Sequence, residues 1–264
     1  MDGVESERSA HSIMEKMALK VAEKIAVGYS DIVVGDSEET KRYFSNKFKT
    51  AFYLIPNAAG IFDKPNASLV SNYDLKPLGY DLIISDIAPR HHLETILQGF
   101  CDTHTNRDLV IVGNYFSEFG LLLKERFCDD RIKFIGVPDN ADMMNNLRYF
   151  SNIYFHNDSL GGTHHHLLQA IASNSLICTL DNTCNRQLLG DDGYYFSDKS
   201  SVAEYVNSLD KTKETKKLQN NRIKIQSAHN LTKVADQYDR LFQSLSKPEV
   251  QLQTEDQHST VVVA

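Results

Sequence analysis

The chain has 264 residues, 41% of them hydrophobic and 24% charged, enough apolar material for one full domain and a smaller piece. A formal net charge of -7 at pH 7 argues against general affinity for nucleic acid, which needs a basic stripe to displace counterions from phosphate. No apolar run approaches the ~20 residues that cross a bilayer, and the start lacks a signal peptide's basic and apolar regions. The expected location is the cytoplasm, with peripheral attachment to the inner face of the membrane as the variant.

From Ser9 to about Tyr29, apolar residues recur at helical spacing through Met14, Met17, Val21 and Ile25. Asp31 to Gly35 then forms a short β-branched strand. Ser37, followed by Glu38 and Glu39, caps a helix carrying Tyr43, Phe44 and Phe48, and Ala51 to Ile55 reads as a second strand closed by Pro56 and Asn57. Residues 1–60 are thus two α/β units. Gly60, Pro65, Asn66, Asn72 and Pro77 give 61–79 the composition of an inter-domain linker.

Beyond it, strand-like runs at Asp81 to Ser85, Asp108 to Gly113, Ile132 to Gly136, Ile153 to His156 and Leu176 to Leu180 alternate with helical patterns. The helices start near Pro89, Phe116, Asn140, Thr163 and Asn185. Such alternation predicts an α/β domain over 80–228, with a parallel Rossmann-like sheet and helices on both faces. A carboxy-terminal return helix is expected over 229–247, then a loose polar tail over 248–264. Cys101, Cys128, Cys178 and Cys184 have neither metal nor disulfide spacing and read as reduced thiols. Lys211, Lys213, Lys216 and Lys217 read as a solvated helix face or as a membrane or phosphate contact.

In an open parallel sheet, ligands bind beyond the carboxyl ends of the strands. The loop from Asp158 through Gly161, Gly162 and Thr163 into a helix either lets backbone amides and a helix dipole approach a diphosphate, or simply makes a turn with an N-cap. Arg186, at the start of the next helix, offers a guanidinium fork to phosphate or pairs with a surface carboxylate. His164, His165 and His166 are consecutive. On a helix they diverge by about a third of a turn each, so no structural or catalytic metal and no cofactor is expected.

Read in order, these segments resemble the family 4 glycosyltransferases of the GT-B fold, within them the DUF1972-type group that includes bacterial rhamnosyltransferases of polysaccharide assembly. The resemblance is carried by Asp2-Gly3-Val4-Glu5 with Arg8, Ile55-Pro56-Asn57, Leu109 to Asn114, Arg131 to Gly136, Ser159 to Thr163, Asp181-Asn182 with Asn185-Arg186, and Leu189-Gly190-Asp191. It implies that 80–228 is the carboxy-terminal, donor-binding half of a GT-B fold and that 1–60 is part of the acceptor-side domain. The family's first domain would begin about a hundred residues before the point matching Asp2, so the chain is expected to be amino-terminally truncated, with a partner chain or homodimer covering the exposed half.

The resemblance implies that Gly161, Gly162 and Thr163 hold the donor diphosphate beside His164, with Asn182 and Arg186 bordering the cleft. Gly113, Asn114, Gly136 and Val137 would shape the nucleotide pocket, and Glu5 and Arg8 would lie on the acceptor side. Partners would be a nucleotide sugar and a glycan or lipid-linked acceptor. Several positions depart from the pattern, among them His164, His165 and His166 where the family has an asparagine-proline-serine stretch. Asp86 stands where the family has a phosphate-facing arginine, with Arg90 a turn further on, and Gln169 and Gln187 replace acids. An amide still bonds to ribose hydroxyls but loses the charge-assisted part of the bond. Gln169, Arg90 and His156 are the candidates for catalysis, and a binding protein without turnover is the alternative.

Overall fold

The computed structural model describes residues 13–50, 52–89, 92–138, 140–157 and 165–246. Two compact units divide the chain, one from residues 1–58 and 228–264 and the other from 59–227.

In the smaller unit, α1 (Ile13–Tyr29) and β1 (Val33–Gly35) are followed by α2 (Glu38–Phe48) and β2 (Phe52–Leu54). β1 and β2 pair in parallel, Val33 opposite Phe52. Ser37 starts α2 by accepting from the Thr40 amide, satisfying one of the helix's free donors. Phe44 is 1% exposed, and its ring stacks on Phe48 and Phe52. The last helix, whose range is given below, joins this unit through Val234 and Leu241, which pack with Ile55. Nearby, the Asn57 carbonyl lies 2.7 Å from His229 Nδ1. α1 has no buried residue, and Met14, Met17, Val21 and Ile25 line an exposed apolar stripe along it.

The larger unit begins with α3 (Ala67–Ser71), inside the stretch whose composition suggested a linker. Residues 59–79 are instead part of this unit, because Val70 and Leu75 are buried against its core. There follow β3 (Tyr80–Ile84), α4 (Leu93–Cys101), β4 (Asp108–Val112), α5 (Glu118–Arg126), β5 (Ile132–Gly136) and α6 (Ala141–Phe150). The second half holds β6 (Tyr154–His156), α7 (His165–Ala172), β7 (Ile177–Leu180), α8 (Thr183–Leu189), β8 (Tyr194–Phe196), α9 (Lys199–Ser208) and α10 (Thr215–Ser227), before α11 (Leu231–Ser246) in the smaller unit.

The six strands run in the order β5-β4-β3-β6-β7-β8, every neighbouring pair parallel. Successive side chains of a strand face opposite sides, so two cores form. Tyr80, Leu82 and Ile84 join Val110 and Tyr154 under helices α6, α7 and α10. Ile83, Leu109, Ile111 and Phe155 meet Leu97 and Phe100 of α4 and Val202 of α9 on the other side. Both faces being covered is what makes β3 buried throughout.

A polar knot fastens the amino edge of this sheet. The Asp81 carboxylate is fully buried and accepts from Arg107 Nε at 3.2 Å, Asn152 Nδ2 at 3.4 Å and the Ile153 amide at 3.1 Å. The Asn152 side chain also donates to the Leu209 carbonyl and accepts from the Lys211 amide. Lys211, taken from sequence as part of a solvated face or a phosphate contact, is only 6% exposed. Its ammonium donates to the carbonyls of Tyr149 and Ser151 at the end of α6, where the helix dipole favours a cation.

Candidate functional site

The strand order reverses direction between β3 and β6, and a crevice beyond the carboxyl ends at such a switch point is where an open α/β sheet takes a ligand. The loops there are held close. A Cβ on Gly113 would lie 2.3 Å from the Ser85 carbonyl oxygen and 3.0 Å from the Ile87 side chain, so only glycine fits after β4. The Gly113 amide donates to the Gly136 carbonyl, and Gly136 adopts φ +73°, at the β5 end of a register shift against β4. A side chain there would be strained. Val137 follows with 61% exposure, and Asn114 turns its Oδ1 back to the Phe116 amide. Asp86 is exposed in the β3 loop.

At the end of β6, His156 is 6% and Asn157 2% exposed. The His156 carbonyl accepts from Thr179 Oγ1, which ties β6 to β7. Asn157 Nδ2 is buried with no hydrogen-bond partner, an arrangement that costs on the order of 1–3 kcal/mol unless something supplies an acceptor. Gly161, Gly162, Thr163 and His164 follow Asn157 in the sequence and lie outside the described residues, as do Arg90, Glu5 and Arg8.

Where α7 is described, His165 and Gln169 stand one turn apart, with Gln169 Nε2 2.8 Å from His165 Nε2. Gln169 Oε1 accepts from Arg148 Nη2 at 2.8 Å. Arg148 is 2% exposed, and its other terminal nitrogen donates to Asn145 Oδ1. Its Nε and the Tyr154 hydroxyl are both buried without a partner of normal geometry. Burial pushes the Arg148 guanidinium below its ordinary range and raises the Tyr154 phenol.

α8 begins at Asn182, whose Oδ1 accepts from the Asn185 amide at 2.8 Å. Asn185 is buried and donates to the Leu180 carbonyl, fastening the helix to β7. Arg186 forks onto Asp181 through Nε at 2.5 Å and Nη2 at 2.8 Å, and its guanidinium lies 4.3 Å from the centre of the Tyr195 ring. Those hydrogen bonds hold the Asp181 carboxyl below the usual carboxylate range. Gln187 is exposed on the same helix.

The structure therefore brings Gly113 next to Gly136, Gln169 next to His165, and Asn182 to the head of the helix bearing Arg186. Two residues that pattern reading missed are Asn157 and Arg148. Asn157 was legible only as the residue after a strand end, and Arg148 meets Gln169 across 21 positions of sequence, which no periodicity reports. Among the described residues, no three His, Cys, Asp or Glu side chains group to hold a metal ion. No helix among them is long and apolar enough to cross a membrane.

The same architecture recurs in solved structures. Sucrose-phosphate synthase from Thermosynechococcus elongatus superposes with a TM-score of 0.73 at 17% identity, over 92% of this chain. The fold is that of the GT-B glycosyltransferases. HepE from Anabaena, in complex with UDP-glucose, is similar over 90% of this chain with a TM-score of 0.74 at 15% identity. A glycosyltransferase from Rickettsia africae matches over 87% with a TM-score of 0.70 at 11% identity. The chain spans 64% of the synthase, 70% of HepE and 68% of the Rickettsia protein. No protein-family model and no curated protein sequence matches it.

Proposed function

We propose that the larger unit binds a nucleoside diphosphate sugar beyond the carboxyl ends of β3 to β7 and that the chain acts in glycosyl transfer. The observation that carries this reading is Asn157, a buried side-chain donor left without an acceptor at the switch point of a GT-B sheet. Gly113 and Gly136 keep the neighbouring loops free of side chains where a nucleotide would lie. By the resemblance, Gly161, Gly162 and Thr163 supply backbone amides for the diphosphate, and Asn182 and Arg186 border the cleft.

In the reaction an acceptor hydroxyl attacks the anomeric carbon. The bond from that carbon to the diphosphate oxygen breaks, its electron pair leaves with the nucleoside diphosphate, and the hydroxyl proton passes to a base. Helix dipoles and cationic side chains meet the leaving-group charge without a bound metal. Gln169, an amide, neither gives nor takes that proton, so its part is binding. The acceptor is a glycan or a lipid-linked glycan of polysaccharide assembly, as the resemblance to the rhamnosyltransferase group implies.

A second reading, a binding protein without turnover, is favoured by the occupation of Arg186 by Asp181 and of Gln169 by Arg148. Calorimetry against uridine, thymidine and guanosine diphosphate sugars, paired with an assay for release of free nucleoside diphosphate, separates the two. Binding by one nucleotide class that weakens about tenfold in Asn157→Leu supports the site. Binding without release selects the second reading, and no binding to any of the panel sinks both.

A further inference from the structure

We propose that Arg148 is a positioning residue which, through Gln169, fixes the proton of His165 on Nδ1, so that the head of α7 offers hydrogen-bond donors to an anionic ligand group. Its bearing on the ligand rests on the nucleoside diphosphate reading above. The relay itself is independent of that reading.

The relay starts from a group whose role cannot change. A guanidinium is donor only, so Arg148 Nη2, 2.8 Å from the Gln169 side chain, selects the carboxamide oxygen and holds it. The flipped amide would oppose two N–H groups inside a site where Arg148 is 2% exposed. With Oε1 taken, Nε2 points along the helix at His165 Nε2, 2.8 Å away. An amide nitrogen only donates, so His165 Nε2 accepts and carries no proton. The imidazole proton is then on Nδ1, and His165 stands at the first described position of α7 as a donor.

The consequence is chemical. Gln169 occupies the position where the resemblance places an acid gripping ribose hydroxyls, yet its acceptor oxygen is committed to Arg148. With one lone pair of that oxygen held by Arg148, the groups added at the start of α7 are mostly N–H donors, the second hydrogen of Gln169 Nε2 and the Nδ1–H of His165. Such a set recognises oxygen acceptors carrying negative charge, the phosphates of a nucleoside diphosphate, in preference to hydroxyl donors.

The test uses the full chain with 15N-labelled histidine and two-bond proton–nitrogen correlation spectra, the His165 signals being assigned by their loss in His165→Phe. The wild type is expected to show the Nδ1–H tautomer. Gln169→Glu replaces the donor by an acceptor of nearly the same shape, so His165 is expected to gain a proton on Nε2. Arg148→Met, which keeps the apolar stem, is expected to free the amide and mix the tautomers, and Gln169→Glu carries the test if that variant fails to fold. Affinity for UDP is expected to fall about tenfold in His165→Phe, the loss of one hydrogen bond to a charged group. A wild-type proton on Nε2 overturns the proposal, as does an Nε2 that stays unprotonated in Gln169→Glu. UDP binding unaffected by His165→Phe removes the donor role. Wild-type chain that shows the expected tautomer and binds none of the uridine, thymidine and guanosine diphosphates overturns the nucleotide reading alone.

Discussion

The guanidinium of Arg186 is already spoken for: it forks onto Asp181, both residues being exposed, and lies 4.3 Å from the centre of the Tyr195 ring. A diphosphate that used this cation would compete with the carboxylate. Asp181→Asn is therefore expected to raise affinity for UDP about threefold, and Arg186→Ala to lower it by a similar factor. Calorimetry at low and high salt checks this, because the gain from an exposed charge shrinks as salt screens it. An Asp181→Asn variant that binds no better, at any salt, would show that Arg186 faces no ligand.

The knot at the amino edge predicts an unusual pH profile of stability. Burial raises the Asp81 carboxyl from 3.8 to about 6, against the opposing pull of Arg107. Between pH 4 and 6 the folded state then binds more protons than the unfolded one, so stability falls as pH rises, by up to about 3 kcal/mol. Burial lowers Lys211 from 10.5 to about 7. Between pH 7 and 10 the unfolded state binds more protons, so this group's contribution climbs with pH. Together the two groups set a minimum between pH 6 and 7. Denaturation midpoints measured across pH 4 to 10 are expected to lose the upper limb in Lys211→Met and the lower limb in Asp81→Asn. Profiles that stay parallel to the wild type would rule out this assignment.

Two tight glycines separate stability from binding. In Gly113→Ala the new methyl meets the Ser85 carbonyl, and in Gly99→Ala it meets the Lys199 carbonyl at 2.5 Å and Val202 at 2.6 Å, where α4 packs on α9. Both are expected to cost about 1–3 kcal/mol by denaturant titration. Only Gly113→Ala is expected to weaken UDP binding beyond what its stability loss explains, since Gly99 lies in the helix packed between the sheet face and α9. Equal effects of the two on binding would remove Gly113 from the site.

The parallel sheet was legible because each of its longer strands is a β-branched run followed by a loop residue, as in Asp108–Val112 before Gly113 and Ile132 to Gly136 before Val137. α3 was not, because only Val70 of its five residues is buried, and one apolar position makes no period. β8 escaped because Tyr194–Phe196 holds no β-branched residue to mark a strand. The burial of Lys211 could not be read from a lysine cluster, since the carbonyls that hold it belong to a helix 60 residues earlier. At the site, glycines and caps announce themselves locally. The Arg148–Gln169 bond and the orphaned Asn157 amide depend on how α6, β6 and α7 pack, which is a three-dimensional fact.

The polar fastening of Asp81, Arg107, Asn152 and Lys211 sits at the amino end of the sheet, away from the loops after β3 to β7. Mutational drift in the loops after β3 to β7 can therefore proceed without loosening the anchorage of the strands. Side chains of those loops could be exchanged one for another while the same scaffold went on folding. That separation would let relatives conserve shape long after their residues have diverged.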